Sequence, residues 1–224
     1  MFADLKCGAL CELESGRSWS SQEIAARVAS RAARLRSRGL QRGDRLFILY
    51  GNNSEFFIDL LAAWTSGASV VPVDSRLTPF ELQNLARTVT PTLALTDSTV
   101  PPLLGDALAS LGVKILTAAE LTSDRILSSA SLGSACAARL DDEALILFTS
   151  GTTGVAKGVV HTHRSLRARW FSLRQSLGIE CFRRTLCLLP THFGHGLICN
   201  SLFPWLFGQD LIIAPAFSPY LLLR

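Results

Sequence analysis

Short apolar runs alternate with capped amphipathic segments from residue 20 to residue 116, and this alternation restricts the fold more than any other feature. Ser20-Ser21-Gln22-Glu23 sets a Ser three residues before a Glu, the signature of a capping box. Ile24, Val28 and Leu35, with Ala25 and Ala32, then form one helical face that should end at Gly39. Residues 45–50 read as a strand. Gly51-Asn52-Asn53-Ser54 turns into a cap for a helix that buries Phe56, Phe57, Leu60, Leu61 and Trp64 and ends at Gly67. Residues 69–73 form a second strand. Thr78-Pro79-Phe80-Glu81 starts another helix, with Thr as cap, Pro in the first turn and Glu closing the box. Strands over 92–96 and 113–116 flank a helix over 103–111. Such alternation predicts an α/β fold, helices layered on a largely parallel sheet.

The second half is read more coarsely. Residues 117–140 are rich in Ser and Ala and read as a surface helix or a connecting loop. Leu166, Trp170, Leu173 and Leu177 make a helix stripe that belongs to a core rather than to a cofactor box. A strand over 185–189, a helix near 197–207 and a strand over 211–214 follow. A length of 224 residues fits one domain. It is divided here into a first α/β layer over 1–140 and a chemistry-bearing part over 141–224.

A 48% hydrophobic composition excludes disorder, and a net charge of +4 is mild. The Arg-rich stretch 27–45 has Ala and Leu at helical spacing and no interleaved aromatics. It reads as a solvated helix face, not a nucleic-acid site. Cys7, Cys11, Cys136, Cys181, Cys187 and Cys199 form no Cys-x-x-Cys pair and read as reduced, cytoplasmic thiols. The most apolar zone, 186–215, is broken by Pro190, His192, His195, Asn200, Pro204 and Asp210, so no membrane span is expected.

The chemistry concentrates at Thr149-Ser150-Gly151-Thr152-Thr153-Gly154-Val155-Ala156-Lys157-Gly158. This loop lies between the apolar run Ala144–Phe148, read as a buried strand, and a second one at Val159–His161. Its glycines let several backbone N–H groups point into one hollow. Ser150, Thr152 and Thr153 add neutral donors and Lys157 a cation, a set that suits a polyphosphate. The common phosphate-loop spacing does not fit. Ala156 stands where its second Gly should be, and Gly158 stands where a hydroxyl residue should follow the Lys. No Gly-x-Gly-x-x-Gly follows the first strand, which removes a dinucleotide site. A ligand-free polar turn is the plain alternative, though it needs neither the hydroxyls nor the Lys.

The loop closely resembles the Ser/Thr-Ser-Gly-Thr-Thr/Ser-Gly-x-Pro-Lys-Gly signature of adenylate-forming enzymes, the AMP-dependent synthetases and ligases, with Ala156 in place of Pro. Gly43-Asp44-Arg45-Leu46, the run Leu61–Asp74 and His161-Thr162-His163-Arg164-Ser165-Leu166 are similar to further segments of that family's N-terminal domain. Pro190-Thr191-His192-Phe193-Gly194-His195-Gly196-Leu197 resembles its acyl-pocket motif, with Phe193 at the position usually held by His or Phe. Which of His192, Phe193 and His195 touches the acyl group stays open, as does a purely structural role for both His residues.

The resemblance implies a reaction of a carboxylic acid with ATP to give an acyl-adenylate and pyrophosphate, then transfer to CoA or a carrier protein. It places Thr149–Gly154, Lys157 and Gly158 around the phosphates, with Lys157 as the catalytic cation. His192, Phe193, His195 and Gly196 fall in the substrate pocket. Mg2+ is implied, with protein ligands outside this chain, so no metal site is expected from these residues. The family's aromatic-Gly-x-Thr-Glu motif and its later catalytic elements are not found before Arg224. The expectation is therefore an incomplete adenylation domain with little turnover alone. The alternative is a non-catalytic remnant that binds nucleotide or docks a partner.

Overall fold

The structure, a computed structural model, describes residues 7–122, 138–149 and 157–215. Strands β1 (Leu10–Glu12) and β2 (Ser18–Trp19) precede helix α1 (Ser21–Ser37). Then come β3 (Arg45–Ile48), α2 (Ser54–Ser66), β4 (Ser69–Pro72), α3 (Pro79–Val89) and β5 (Leu93–Thr96). Helix α4 (Pro102–Ala109), β6 (Lys114–Thr117) and α5 (Ala118–Thr122) complete the first run. Beyond them lie β7 (Glu143–Thr149), β8 (Lys157–Thr162), α6 (His163–Leu177) and β9 (Arg184–Cys187). A π-helical stretch, His195–Leu202, passes directly into α7 (Phe203–Leu206), and β10 (Asp210–Ile213) follows.

These strands make two sheets. The larger has the order β6-β5-β3-β4-β7-β8, parallel throughout except for the antiparallel β7–β8 pair. The smaller has the order β2-β1-β10-β9, with β1 and β9 both parallel to β10. Each sheet draws strands from both sides of residue 140, so the division at 140/141 does not coincide with the sheets. Strands β1 and β2 were absent from the sequence reading, because two- and three-residue strands leave no periodic signal.

The predicted helix starts are present as side-chain caps. Ser20 and Thr78 form complete capping boxes with Glu23 and Glu81, Asn53 caps α2, and Gly67 closes α2 in the left-handed conformation. Helix α2 is the centre of the packing, with ten of its 13 residues buried, which is why it is apolar on all sides. Glu12 ties β1 to its N-terminus by accepting from the Ser54 N–H (2.9 Å) and hydroxyl (2.6 Å). Burial would raise the Glu12 pKa, but these bonds, with Ser15 and Arg17, hold it down at about 2. Three fully buried tryptophans satisfy their indole N–H groups on distant carbonyls: Trp64 on Ala144 (2.6 Å), Trp170 on Ile198 (3.0 Å) and Trp205 on Gly8 (3.0 Å). His163 is buried edge-on against Trp64, and burial pushes its pKa to about 4 despite the charge of Asp142.

Four expectations are corrected. The Arg-rich stretch is not simply a solvated face, because Arg31 is 3% exposed and turned into the core. Its Nη1 donates to both Asp59 oxygens (2.8 and 3.1 Å) and its Nη2 to Glu55 Oε2 (2.5 Å). Arg27 also pairs with Glu55, and the Tyr50 hydroxyl donates to Asp59. Acidic partners on α2 make that inward turn favourable, and they lie too far along the sequence for helical periodicity to reveal. Next, β8 is not a buried strand: Val159 and Val160 are 43% and 49% exposed, because β8 forms the sheet edge. Finally, the helix expected near 197 begins at His195 in π-helical form, and the α6 stripe leaves the core before Leu177, which is exposed.

Burial pushes the Asp59 carboxyl up to about 6, while Arg31 and Tyr50 hold it down. Removing the guanidinium would strand this carboxylate. Arg31→Met should therefore cost about 3–5 kcal/mol in urea unfolding at pH 7. Adding Asp59→Asn should recover part of that loss; a double variant no more stable than the single one would contradict the pairing.

Candidate nucleotide and acyl site

The carboxyl ends of the parallel strands converge with the segment after β9. At this edge of an open α/β sheet, crevices form where neighbouring connections diverge. Thr149 ends β7 and Lys157 begins β8, and the two are paired across the ladder. The Thr149 hydroxyl reaches the Lys157 carbonyl at 3.5 Å. Both residues are exposed, and the Lys157 ammonium has no carboxylate partner among the described residues. Gly158 lets the Phe148 ring lie close, since a Cβ there would stand 3.1 Å from the ring. Ser150, Gly151, Thr152, Thr153 and Gly154 lie outside the described residues.

Beside this hairpin is a hollow of about 470 Å³. Leu147, Phe148, Val159, Phe193 and Ile198 supply apolar wall, and Thr149, His161, Arg169, His192 and His195 supply polar wall. The structure thus brings His192, Phe193 and His195 together with Thr149. Gly196 is elsewhere: it is buried, and a Cβ on it would fall 2.6 Å from Leu189 Cβ, so its place is one of close packing. Ring centroids of His192 and Phe193 are 4.7 Å apart. His192 Nε2 lies 3.4 Å from Asp74 Oδ2, and Asp74 is gripped by the Arg76 guanidinium. Burial lowers the His192 pKa although Asp74 opposes it; burial and then Arg169 lower that of His161. Among the described residues no group of three His, Cys, Asp or Glu is arranged to hold a metal ion.

Asn52 holds the pocket segment in place. Its backbone is left-handed (φ 52°), and its amide donates to the carbonyls of Leu189 and Ala214, each at 3.1 Å. Its Oδ1 accepts from the Thr191 N–H at 3.0 Å. Gly51 allows the approach, since a Cβ there would meet Thr191 Oγ1 at 2.0 Å. The turn after β3 therefore clamps the segment after β9 and the end of β10, joining the two sheets at the site. The sequence reading gave Asn52 only a turn role, and it missed Asp74, His161 and Arg169 as site residues. Strand alternation was the available signal for His161, because residues 157, 159 and 161 share one face of β8.

Residues 6–223 match the family model described as AMP-binding enzyme. The chain belongs to the AMP-binding enzyme family. It is 32% identical over 220 residues to the 4-chlorobenzoate–CoA ligase of Arthrobacter, covering 94% of this chain and 41% of that protein. It is 29% identical over 179 residues to the mitochondrial malonate–CoA ligase of Xenopus laevis, covering 79% and 31% respectively. The crystal structure of ATP-bound MatB from Rhodopseudomonas palustris superposes with a TM-score of 0.84 at 27% identity, over 99% of this chain and 44% of that one. The chain thus spans less than half the length of these relatives and corresponds to the N-terminal portion of the family.

The packing at Gly196 yields a direct expectation. Gly196→Ala should destabilise the chain by about 1–3 kcal/mol through overpacking on Leu189, read by urea unfolding. An unchanged midpoint would mean that the segment is not seated as described.

Proposed function

We propose that this chain performs the nucleotide-binding part of an acyl-adenylating ligase. Its hairpin loop holds the β- and γ-phosphates of ATP while a carboxylate attacks the α-phosphate, giving acyl-AMP and pyrophosphate. The acyl group is then transferred to the thiol of CoA, or to a carrier protein. The observation that carries this reading is the pairing of Thr149 with Lys157 at the carboxyl edge of the sheet, where Thr149 shares a hollow with His192, Phe193 and His195, in a chain of the AMP-binding family.

Lys157 would sit where negative charge grows on the departing pyrophosphate, and a cation fixed there lowers the barrier. Thr149, Ser150, Gly151, Thr152, Thr153, Gly154 and Gly158 would complete the cradle with backbone and hydroxyl donors. Magnesium, when bound, would neutralise part of the phosphate charge. His192, Phe193 and His195 would line the space for the acid, with Gly196 supporting them from behind. The names of the relatives as CoA ligases favour CoA as acceptor. The free cysteines suit the reducing cytoplasm. Among the described residues no helix is long and apolar enough to cross a membrane.

A ligand that binds only the folded state raises the melting temperature by mass action. MgATP at a hundred times its Kd adds about 2.7 kcal/mol, hence roughly 5–10 °C for a chain of this size. Lys157→Ala should melt at the parent temperature without ligand and lose most of the MgATP shift. Equal shifts in both proteins would overturn the assignment of Lys157.

A further inference from the structure

The adenylating half of the proposed reaction releases no proton, because a carboxylate and ATP both enter ionised. The transfer half must release one. A thiol is mostly protonated at neutral pH, and its thiolate is the nucleophile. A base beside the acyl group has to take that proton. Three imidazoles line the hollow of about 470 Å³, those of His161, His192 and His195. Their surroundings separate them. For His161, burial and the neighbouring Arg169 guanidinium both disfavour a proton on the ring. His195 opens the π-helical stretch and has no carboxylate within ion-pair distance among the described residues. His192 has one: its Nε2 lies 3.4 Å from Asp74 Oδ2.

Asp74 is itself held. Arg76 Nε donates to its Oδ1 at 2.9 Å, Arg76 Nη2 to its Oδ2 at 2.7 Å, and the Arg76 backbone N–H to Oδ1 at 3.0 Å. That grip keeps the carboxyl below the usual range, so an anion stands ready to offset an imidazolium. The backbone around His192 is fixed as well. Thr191 N–H donates to Asn52 Oδ1 at 3.0 Å, Phe193 N–H donates to the Pro190 carbonyl at 2.9 Å, and the Phe193 ring lies 4.7 Å from the imidazole. Asn52 already ties this segment down, so a mere tether has no need of an ionised pair on the hollow. An imidazole on a reaction hollow, oriented by a carboxylate, is the arrangement of a general base. We infer that His192 is the general base of the thiol-transfer step, with Asp74 as its positioning residue and Arg76 holding Asp74 in place. With Nε2 turned to Asp74, Nδ1 is the nitrogen left to take the proton. The thiol proton passes to Nδ1 while sulfur bonds to the acyl carbon. The bond from that carbon to the phosphate oxygen breaks, and its electron pair leaves with AMP. The imidazolium then returns its proton to solvent. This role rests on the acyl-adenylating reading above.

The transfer step can be run apart from adenylation on the whole chain, with synthetic hexanoyl-AMP and the small thiol N-acetylcysteamine. Thioester formation would be followed against pH, and the His192 Cε1–H resonance titrated in parallel. The parent should exceed His192→Gln by about a hundredfold, the lower end of general-base catalysis. His192→Gln should keep the MgATP melting shift, and added imidazole should restore part of the rate to His192→Ala. The parent rate should rise with pH as His192 loses its proton. Burial lowers the His192 pKa, Asp74 raises it and Arg76 lowers it. Asp74→Asn should therefore move the midpoints of both the rate and the resonance to lower pH, and Arg76→Gln should move both to higher pH. A tether with no part in the chemistry would leave the rate midpoint where it is.

Thioester formation no faster than in buffer would overturn the proposal. So would equal rates for the parent and His192→Gln, or a rate midpoint that does not follow Asp74→Asn. Failure of the parent reading looks different: the chain would speed thioester formation from hexanoyl-AMP with no stabilisation by MgATP.

Discussion

Everything in this molecule is arranged around the burial of helix α2. A helix with almost no solvent face must satisfy each polar group it carries, and α2 carries Asp59 and Glu55. Arg31 and Arg27 from α1 and Tyr50 from the turn after β3 meet that need, which fixes both the angle and the register of α1 on α2. Thr122 accepts from Arg31 as well, so α5 is tied to the same cluster. The two ends of α2 then organise the sheets. Glu12 of the smaller sheet holds its N-terminus, and Trp64 near its C-terminus bonds to β7 of the larger one.

This core explains why the candidate site is where it is. Strands β3, β4 and β7 end on one edge, and β9 ends beside them in the other sheet. Loops leaving four strand ends meet there, and Asn52 locks the turn after β3 to the segment after β9. The hairpin with Thr149 and Lys157 and the segment with His192, Phe193 and His195 are far apart in sequence. They face each other because two independently built sheets are clamped at this one edge. The glycines at 51 and 196 permit the approach, each standing where a methyl group would collide with Thr191 or Leu189.

Much of this was legible in the sequence, and the reason is local. Capping boxes at Ser20 and Thr78 and the left-handed Gly67 act within four residues, so their chemistry is visible in a linear string. The loop signature is legible for the same reason, since backbone turn and ligand come from consecutive residues. Long-range pairing was not legible. Arg31 read as a solvent residue because its partners, Glu55 and Asp59, belong to another helix. Val159 and Val160 read as core because composition does not disclose that β8 is an edge strand. Arg169 and His161 became site residues only once α6 and β8 were folded against the hollow, and β1 was too short to announce its parallel pairing with β10.

The central claim is that the β7–β8 hairpin receives the distal phosphates of ATP. Phosphorus NMR of MgATP titrated with the chain tests it most directly, because each phosphate reports separately. The account predicts saturable shifts of the β and γ resonances that exceed those of the α resonance. Shifts confined to the α-phosphate, or none that saturate, would contradict it.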